Sequence, residues 1–127
     1  MQLFSKFLTQ TDVERRLAIP TDTLRNHFKL SRGKHFVDLK VKDSIGQLWR
    51  FRCCTRLTGK HPKPVFSTGW NDFVRSKSLQ INDQVVFYKE RDRAAGAEFR
   101  IEVKRRITRI MGRDIWVDVE QIQNNKP

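Results

Sequence analysis

The fold of this chain is constrained most by three segments in which apolar and charged residues alternate. In the segment 35–43 every second residue is apolar, and the segments 47–54 and 98–104 repeat the pattern. Successive side chains of a β-strand point to opposite faces, so a period of two is typical of a half-buried strand. The alternation therefore predicts a sheet with one apolar face toward a core and one charged face toward solvent.

Shorter patterns predict the remaining elements. Further strands are predicted at 3–8, 17–19 and 85–89, with a weaker one at 115–119. Short helices are predicted to start near Thr9, at Thr21 and at Thr68 or Gly69. In the first of these helices Thr11 and Glu14 have the spacing of a capping box. Many short strands with one- or two-turn helices at their corners predict an all-β barrel with small helical plugs.

The length of the chain predicts one domain. A chain of 127 residues with a single spread-out apolar pattern is too short for two well-packed domains. We expect one domain over residues 1–120 and a flexible tail over 121–127, because that tail is rich in Gln and Asn.

The charge narrows the choice of partner. Twenty-six Lys and Arg against fourteen Asp and Glu give 26 − 14 = +12, and the pI near 10.4 favours a nucleic-acid partner. Membranes and acidic proteins also attract a positive charge. No apolar run approaches the roughly 18 residues of a spanning helix, and the N-terminus lacks the apolar core of a signal peptide. We expect a soluble intracellular protein.

Four basic residues are predicted to share one sheet face. The turn-forming residues 43–46 connect two of the alternating segments, so these segments are predicted to form an antiparallel hairpin. If the apolar sides face inward, the outer side carries Lys40, Lys42, Arg50 and Arg52. Like charges placed side by side repel, so some anion is expected to compensate them.

The second of these strands leads into a basic loop. The segment 55–64 is rich in Thr, Gly and Pro, a composition typical of turns, and has no apolar period. Its basic residues are Arg56, Lys60, His61 and Lys63. A basic strand face that runs into a basic loop is suited to a polyanion.

The sequence argues against a metal site or an active site. Cys53 and Cys54 are adjacent and point to opposite strand faces, so we expect two reduced thiols, with Cys53 in the core and no zinc site with His61. Glu102 and Lys104 match the E-x-K of some nucleases, but no Pro-Asp pair precedes them. We expect no cofactor, no metal and no enzymatic activity.

Four blocks in order resemble a known family: LFSKFLTQTDV, RLAIP, GQLWRFR and STGWNDFVRSKSLQINDQVVFY. They resemble the plant B3 DNA-binding domain of transcription factors, over residues 3–104. The resemblance implies a seven-stranded open pseudobarrel with two or three short helices at its ends. It also implies that two arms grip the major groove of double-stranded DNA, in the nucleus, with no membrane or small-molecule partner. Other transcription proteins would bind through regions outside this chain.

The resemblance also implies the site residues. The first arm comprises Lys6 and residues from 9–16, namely Thr9, Gln10, Thr11, Asp12, Arg15 and Arg16. The second arm comprises residues from 55–63, namely Thr55, Arg56, Thr58, Lys60, His61 and Lys63. Phosphate contacts are expected from Lys40, Lys42, Arg50 and some of Lys34, Arg75 and Lys104. Base-edge candidates are Arg15, Arg16, Arg52, Arg56, Lys60, Thr9, Gln10 and Thr55.

Some roles stay open at this point. Asp12 is either an acceptor for cytosine or a neighbouring Arg, or a helix cap. The first arm is about two residues shorter than in related members, and residues 56–60 replace the usual tip of the second arm. No target sequence follows, because base choice depends on those tips.

A barrel that binds protein, RNA or single strands is the alternative. Readers of RNA and single strands generally expose aromatic residues on a sheet. Trp49, Phe51, Phe87 and Phe99 fall on the inward phase instead, which counts against this class.

Overall fold

The computed structural model describes residues 1–30, 33–55 and 63–124. These ranges contain eight strands: β1 (Gln2–Phe7), β2 (Leu17–Ala18), β3 (Phe36–Lys42), β4 (Leu48–Cys54), β5 (Val65–Phe66), β6 (Gln84–Asp92), β7 (Ala97–Ile110) and β8 (Arg113–Asp118). They also contain four helices: α1 (Gln10–Glu14), α2 (Thr21–His27), α3 (Trp70–Lys77) and α4 (Val119–Asn124). Within the described residues, no helix is long and apolar enough to cross a membrane.

Seven strands form one open sheet. Their order is β1-β6-β7-β3-β4-β5-β2, with β3 and β7 parallel and the other neighbours antiparallel. In the described part of the chain the end strands β1 and β2 do not pair, so the barrel stays open. The predicted seven-stranded open pseudobarrel with short helices is confirmed. An eighth strand, β8, lies off this path and pairs with β7.

The alternation places the core as predicted. Leu39 faces Phe51 across the β3–β4 hairpin, and both are buried, as are Val41 and Cys53. Strand β7 contributes the same way through its alternating apolar residues Phe99, Ile101 and Val103. The buried side chains of these strands therefore face one shared apolar interior.

Aromatic rings fill that interior. Phe87 stacks on Phe99 at a centroid distance of 5.5 Å, and Phe28, just after α2, meets both rings edge-on. Trp70 is fully buried and packs against Phe51 at 5.9 Å. The helices α2 and α3 therefore close the interior, as the predicted helical plugs would.

The predicted capping box of α1 is wrong in register. The helix begins at Gln10, so its N-cap is Thr9 and the reciprocal partner is Asp12, not Thr11 with Glu14. Both pairs have the required three-residue spacing, and the burial of Asp12 favours the earlier one.

Strand β7 is longer than the predicted 98–104, and the chain continues past it in regular structure. Residues 105–110 pair with β8 but do not alternate between buried and exposed positions, so periodicity cannot detect them. Helix α4 covers residues 121–124 of the predicted tail, and its Val119 and Glu120 are buried. The flexibility of residues 121–127 and the domain boundary at 120 stay predictions.

Candidate nucleic-acid interface

The first arm is a short helix held at both ends. The Thr9 hydroxyl accepts a hydrogen bond from the Asp12 backbone N–H at 3.2 Å, and the Asp12 carboxylate accepts one from the Thr9 N–H at 2.9 Å. At the other end, the backbone N–H groups of Arg15 and Arg16 both donate to the carbonyl of Thr11. This single helical turn leaves Arg15 and Arg16 exposed at its end.

Asp12 is the buried support of that arm. Its side chain also accepts hydrogen bonds from Lys6 Nζ at 2.9 Å and from the Ala18 N–H at 3.3 Å. Burial disfavours the carboxylate, but these bonds and those with Thr9 outweigh it and hold the pKa of Asp12 below its ordinary value. Of the two roles left open for Asp12, the structure shows the helix cap.

The arm is also tied to the rest of the fold. The indole N–H of Trp70 in α3 donates to the carbonyl of Asp12 at 2.7 Å. The Ile19 N–H donates to the carbonyl of Pro64 at 2.9 Å, beside the β2–β5 pairing. Because β2 follows the first arm and β5 follows the second, this pairing connects the two arms where they join the barrel.

The second arm starts and ends at fixed points. It leaves β4 at Thr55, whose N–H donates to the carbonyl of His35 at 2.9 Å, and it returns at exposed Lys63. The Thr55 hydroxyl is buried and has no hydrogen-bond partner among the described residues. The predicted contacts Arg56, Thr58, Lys60 and His61 lie outside the described residues.

A cleft lies between the two arms. Its volume is about 630 Å³. Its polar lining comes from the first arm through Thr11, Arg15 and Arg16, from the second arm through Thr55 and Lys63, and from α2 through Thr21. The other lining residues are Ala18, Ile19, Cys54, Pro64 and Val65. The structure therefore brings together residues that are about fifty positions apart in the sequence.

Two of the four basic residues on the outer sheet face are already neutralised by carboxylates. Arg52 binds Asp38 through two hydrogen bonds of 2.8 and 3.2 Å and stacks over the Phe36 ring at 4.1 Å. The hydrogen bonds from Arg52 lower the pKa of Asp38. Lys42 pairs with Asp92 at 2.9 Å and lowers the pKa of that carboxyl in the same way. The anion expected for these two positions is part of the chain itself.

Lys40 and Arg50 form the remaining pair. They face each other directly across the β3–β4 hairpin, and both are exposed. No carboxylate forms an ion pair with either of them within the described residues. Two adjacent unpaired cations leave this part of the sheet free to take a phosphate.

The pairing of Arg52 was missed at the level of the sequence, although a signal for it existed. The register Lys42↔Leu48 leaves residues 43–47 as the hairpin loop. Counting outward from that loop puts Asp38 opposite Arg52. The sequence gives no such signal for the pairing of Lys42 with Asp92. This pairing depends on the parallel contact of β3 with β7, whose antiparallel partner β6 carries Asp92.

Cys53 and Glu102, which were considered for a zinc site and for nuclease activity, lie in surroundings that do not favour either role. Burial raises the pKa of the Cys53 thiol to about 12, so this cysteine stays protonated. Glu102 binds Arg100, accepts a hydrogen bond from the Tyr88 hydroxyl at 3.4 Å and lies 3.9 Å from Lys104. Within the described ranges, no group of His, Cys, Asp and Glu side chains is arranged to hold a metal ion.

The sequence matches a known family over most of its length. A family model described as the B3 DNA binding domain matches residues 4–107. The chain is 35% identical over 89 residues to the B3 domain-containing transcription factor NGA4 of Arabidopsis thaliana, covering 68% of this chain and 26% of that protein. It is 31% identical over 108 residues to auxin response factor 2 of Oryza sativa subsp. japonica, covering 81% of this chain and 14% of that protein. The chain thus spans about a quarter or less of these two curated relatives.

Two solved structures share the fold. The Arabidopsis FUS3–DNA complex aligns with a TM-score of 0.69 and 22% identity, over 83% of this chain and 98% of that one. The Arabidopsis thaliana transcription factor LEC2–DNA complex aligns with a TM-score of 0.67 and 18% identity, over 81% and 92%. The family match, the relatives and the shared fold agree: the chain belongs to the B3 DNA-binding domain family.

Proposed function

We propose that this chain binds double-stranded DNA sequence-selectively in the major groove, as the DNA-binding part of a plant nuclear transcription factor. The observation that carries the proposal is the cleft between the arms, which is lined by exposed Arg15 and Arg16 of the first arm and by exposed Lys63 of the second. Arg donors can bond two acceptor atoms of guanine at once, so arm tips that carry Arg are suited to base edges. The net charge of +12 supplies attraction to the duplex.

We assign the remaining site residues by their partners. Lys40 and Arg50 are exposed and unpaired within the described residues, so they are the phosphate contacts of the sheet face. Arg52 and Lys42 already bind Asp38 and Asp92, so their share of the phosphate binding is smaller. Lys6 and Asp12 bind each other inside the first arm and position it. Thr9, Gln10, Thr11 and the second-arm residues stay candidates for direct contacts.

Selection from randomised duplexes tests this function. We expect an enriched motif and a log-affinity that falls with log-salt by about 0.9 for each phosphate contact. Arg16→Ala should relax base preference at one position by about 1–3 kcal/mol. No enriched motif together with a salt slope near zero would sink the proposal, and tighter binding to RNA or single strands would favour the alternative module.

We also propose that the chain is not an enzyme. Both carboxylate oxygens of Glu102 have a protein partner, and alternating charge on a strand explains its spacing from Lys104. Incubation of supercoiled plasmid with the chain and Mg²⁺ should leave the plasmid intact. Cleavage that disappears in Glu102→Ala would contradict this.

A further inference from the structure

The C-terminal half of β7 and the strand β8 form a two-stranded ribbon that the arms do not explain. Here it is called the β7–β8 ribbon, residues 104–118. The pairing of β6 with β7 stops at Gln84↔Lys104, whereas β8 stays paired with β7 out to Ile110↔Arg113. Residues 106–114 are all exposed, so the ribbon extends from the barrel into solvent. The family match ends at residue 107, so most of the ribbon lies beyond it.

The root of the ribbon lies beside the root of the first arm. Arg105 binds the carboxylate of Asp83 through two hydrogen bonds of 2.9 Å, and the carbonyl of Asp83 accepts the N–H of Leu8 at 2.8 Å. Phe7, the last residue of β1, packs against Trp116 of β8 at a centroid distance of 5.6 Å. Leu8 is followed directly by Thr9, the N-cap of the first arm.

The ribbon is basic along its length. Between residues 105 and 117 four Arg and one Asp give 4 − 1 = +3. Arg105 is used inside the fold, which leaves Arg106, Arg109 and Arg113 exposed. Asp114 lies 3.6 Å from Arg106 and 3.8 Å from Arg109, so two Arg side chains share one carboxylate, which cannot neutralise both. A second copy of the chain would bring the same positive charge against this surface, whereas a polyanion neutralises it.

The tip of the ribbon is apolar and exposed. The side chains of Ile110 and Met111 are 55% and 98% exposed, and Gly112 completes the turn. DNA-binding ribbons can enter a groove, and minor-groove proteins combine flanking Arg with apolar side chains such as Ile and Met at base steps. Basic edges with an apolar end are therefore suited to a duplex.

We propose that the β7–β8 ribbon is a third DNA contact, which binds the duplex beside the site gripped by the two arms. Arg106, Arg109 and Arg113 bind phosphates, and Ile110 and Met111 reach the minor groove. The six residues from Arg106 to Met111 are separated by five steps, which extend about 17 Å at the rise of an antiparallel strand. At a rise of about 3.4 Å per base pair this reach corresponds to about five base pairs of flanking DNA. The ribbon proposal rests on the proposed duplex binding by the arms.

Affinities for two duplexes distinguish DNA binding by the ribbon from DNA binding by the arms. Both carry the sequence enriched in the selection; the short one ends at that site, and the long one adds about ten base pairs on each side. We expect the chain to bind the long duplex more tightly. The triple variant Arg106→Ala/Arg109→Ala/Arg113→Ala should bind the short duplex as the parent does, lose the gain on the long one and lower the salt slope there by about 2.7.

Three further variants sharpen the test. Asp114→Asn should increase the gain in affinity for the long duplex, because it removes the one acidic residue between positions 105 and 117. Met111→Ser should reduce the gain without changing binding to the short duplex. The control is Arg91→Ala, which removes one exposed Arg at the other end of β6 and should affect both duplexes alike.

Other outcomes would overturn the inference. If the parent and the triple variant gain the same affinity from the longer duplex, the ribbon does not contact DNA. If sedimentation shows a dimer that Met111→Ser converts to a monomer, the tip binds a second copy of the chain instead of DNA. Binding to neither duplex would contradict the proposed function itself, and the ribbon proposal with it.

Discussion

Carboxylates inside the chain decide which basic residues stay available to DNA. Arg52 and Lys42 point to the same sheet face as Lys40 and Arg50, but each has an acidic partner within 3 Å. A cation that already has such a partner gains less from a phosphate, because the partner must be displaced or left beside a second negative charge. Residue type alone therefore overestimates the phosphate-binding surface of this sheet.

We expect Lys40→Ala to weaken binding to every duplex sequence alike. Lys40 faces Arg50 and has no acidic partner among the described residues, so its loss should remove one phosphate contact. The slope of log-affinity against log-salt should fall by about 0.9. Lys40→Arg keeps the charge and should restore the slope. A loss confined to one base position would instead assign Lys40 to base recognition.

Asp12→Asn tests the buried support of the first arm. The substitution weakens hydrogen bonds to a buried carboxylate and should lower the free energy of unfolding by about 1–3 kcal/mol at pH 7. The folded pKa of Asp12 lies below its ordinary 3.8, so its contribution is present above pH 3.8 and is lost as the pH falls through the folded pKa. Urea unfolding should therefore show a smaller difference between parent and variant below pH 3.8 than at pH 7.

The control for this experiment is Asp22→Asn, a change at an exposed Asp in the first turn of α2. It should change stability little at either pH. An Asp12→Asn variant as stable as the parent at pH 7 would contradict the supporting role of that carboxylate.

At the scale of elements, α3 begins where the backbone of β4 comes closest. Its N-cap is Gly69, which has a φ of +90°, and a Cβ at this position would lie 2.0 Å from the carbonyl oxygen of Arg50. The close approach lets Trp70 enter the core and reach the carbonyl of Asp12. The position of the first arm thus depends on a glycine far from it in the sequence.

Gly69→Ala should destabilise the fold by at least about 2 kcal/mol, because it combines a left-handed backbone with a backbone clash. Gly46→Ala is the matched control: Gly46 has a φ of +84° but open space around it. The difference between the two variants in urea unfolding measures the cost of the close approach. Equal losses would mean that backbone conformation alone accounts for the effect.

At the scale of the whole molecule, one buried ion-pair network joins three distant parts of the chain. Lys77 of α3 lies between Asp43 in the β3–β4 turn, at 2.7 Å, and Glu120 of α4. Asp43 also accepts hydrogen bonds from the Trp49 indole and the Gln47 N–H. Burial disfavours the charge of Lys77, but the bonds to both carboxylates outweigh it and raise its pKa. The first turn of α4 is therefore tied to α3 and to the β3–β4 turn.

Glu120→Ala should lower the free energy of unfolding by about 3 kcal/mol. This is the low end of the range for breaking a buried pair, because Asp43 still neutralises part of the Lys77 charge. Gln121→Ala, at the exposed neighbouring position of α4, is the control and should change stability little. Equal stability of the two variants in urea unfolding would show that the ion pair of Glu120 with Lys77 does not stabilise the folded state.

The sequence by itself determined the local features of this protein. The period of two located β3, β4 and the buried half of β7, because in a strand that alternation reflects one buried face. Net charge indicated the class of partner, and the order of the motif blocks indicated the family and its open barrel. None of these inferences requires knowing which distant strands become neighbours.

The tertiary structure alone decided which charges are free and which are used. Lys42 and Asp92 are separated by 50 positions in the chain, and they meet because β3 packs in parallel against β7, whose antiparallel partner β6 carries Asp92. The cleft between the arms exists because β2 pairs with β5. The outer part of the β7–β8 ribbon escaped detection because solvent surrounds residues 106–114, and a segment without a buried face carries no periodic signal, whereas the predicted strand at 115–119 overlaps β8.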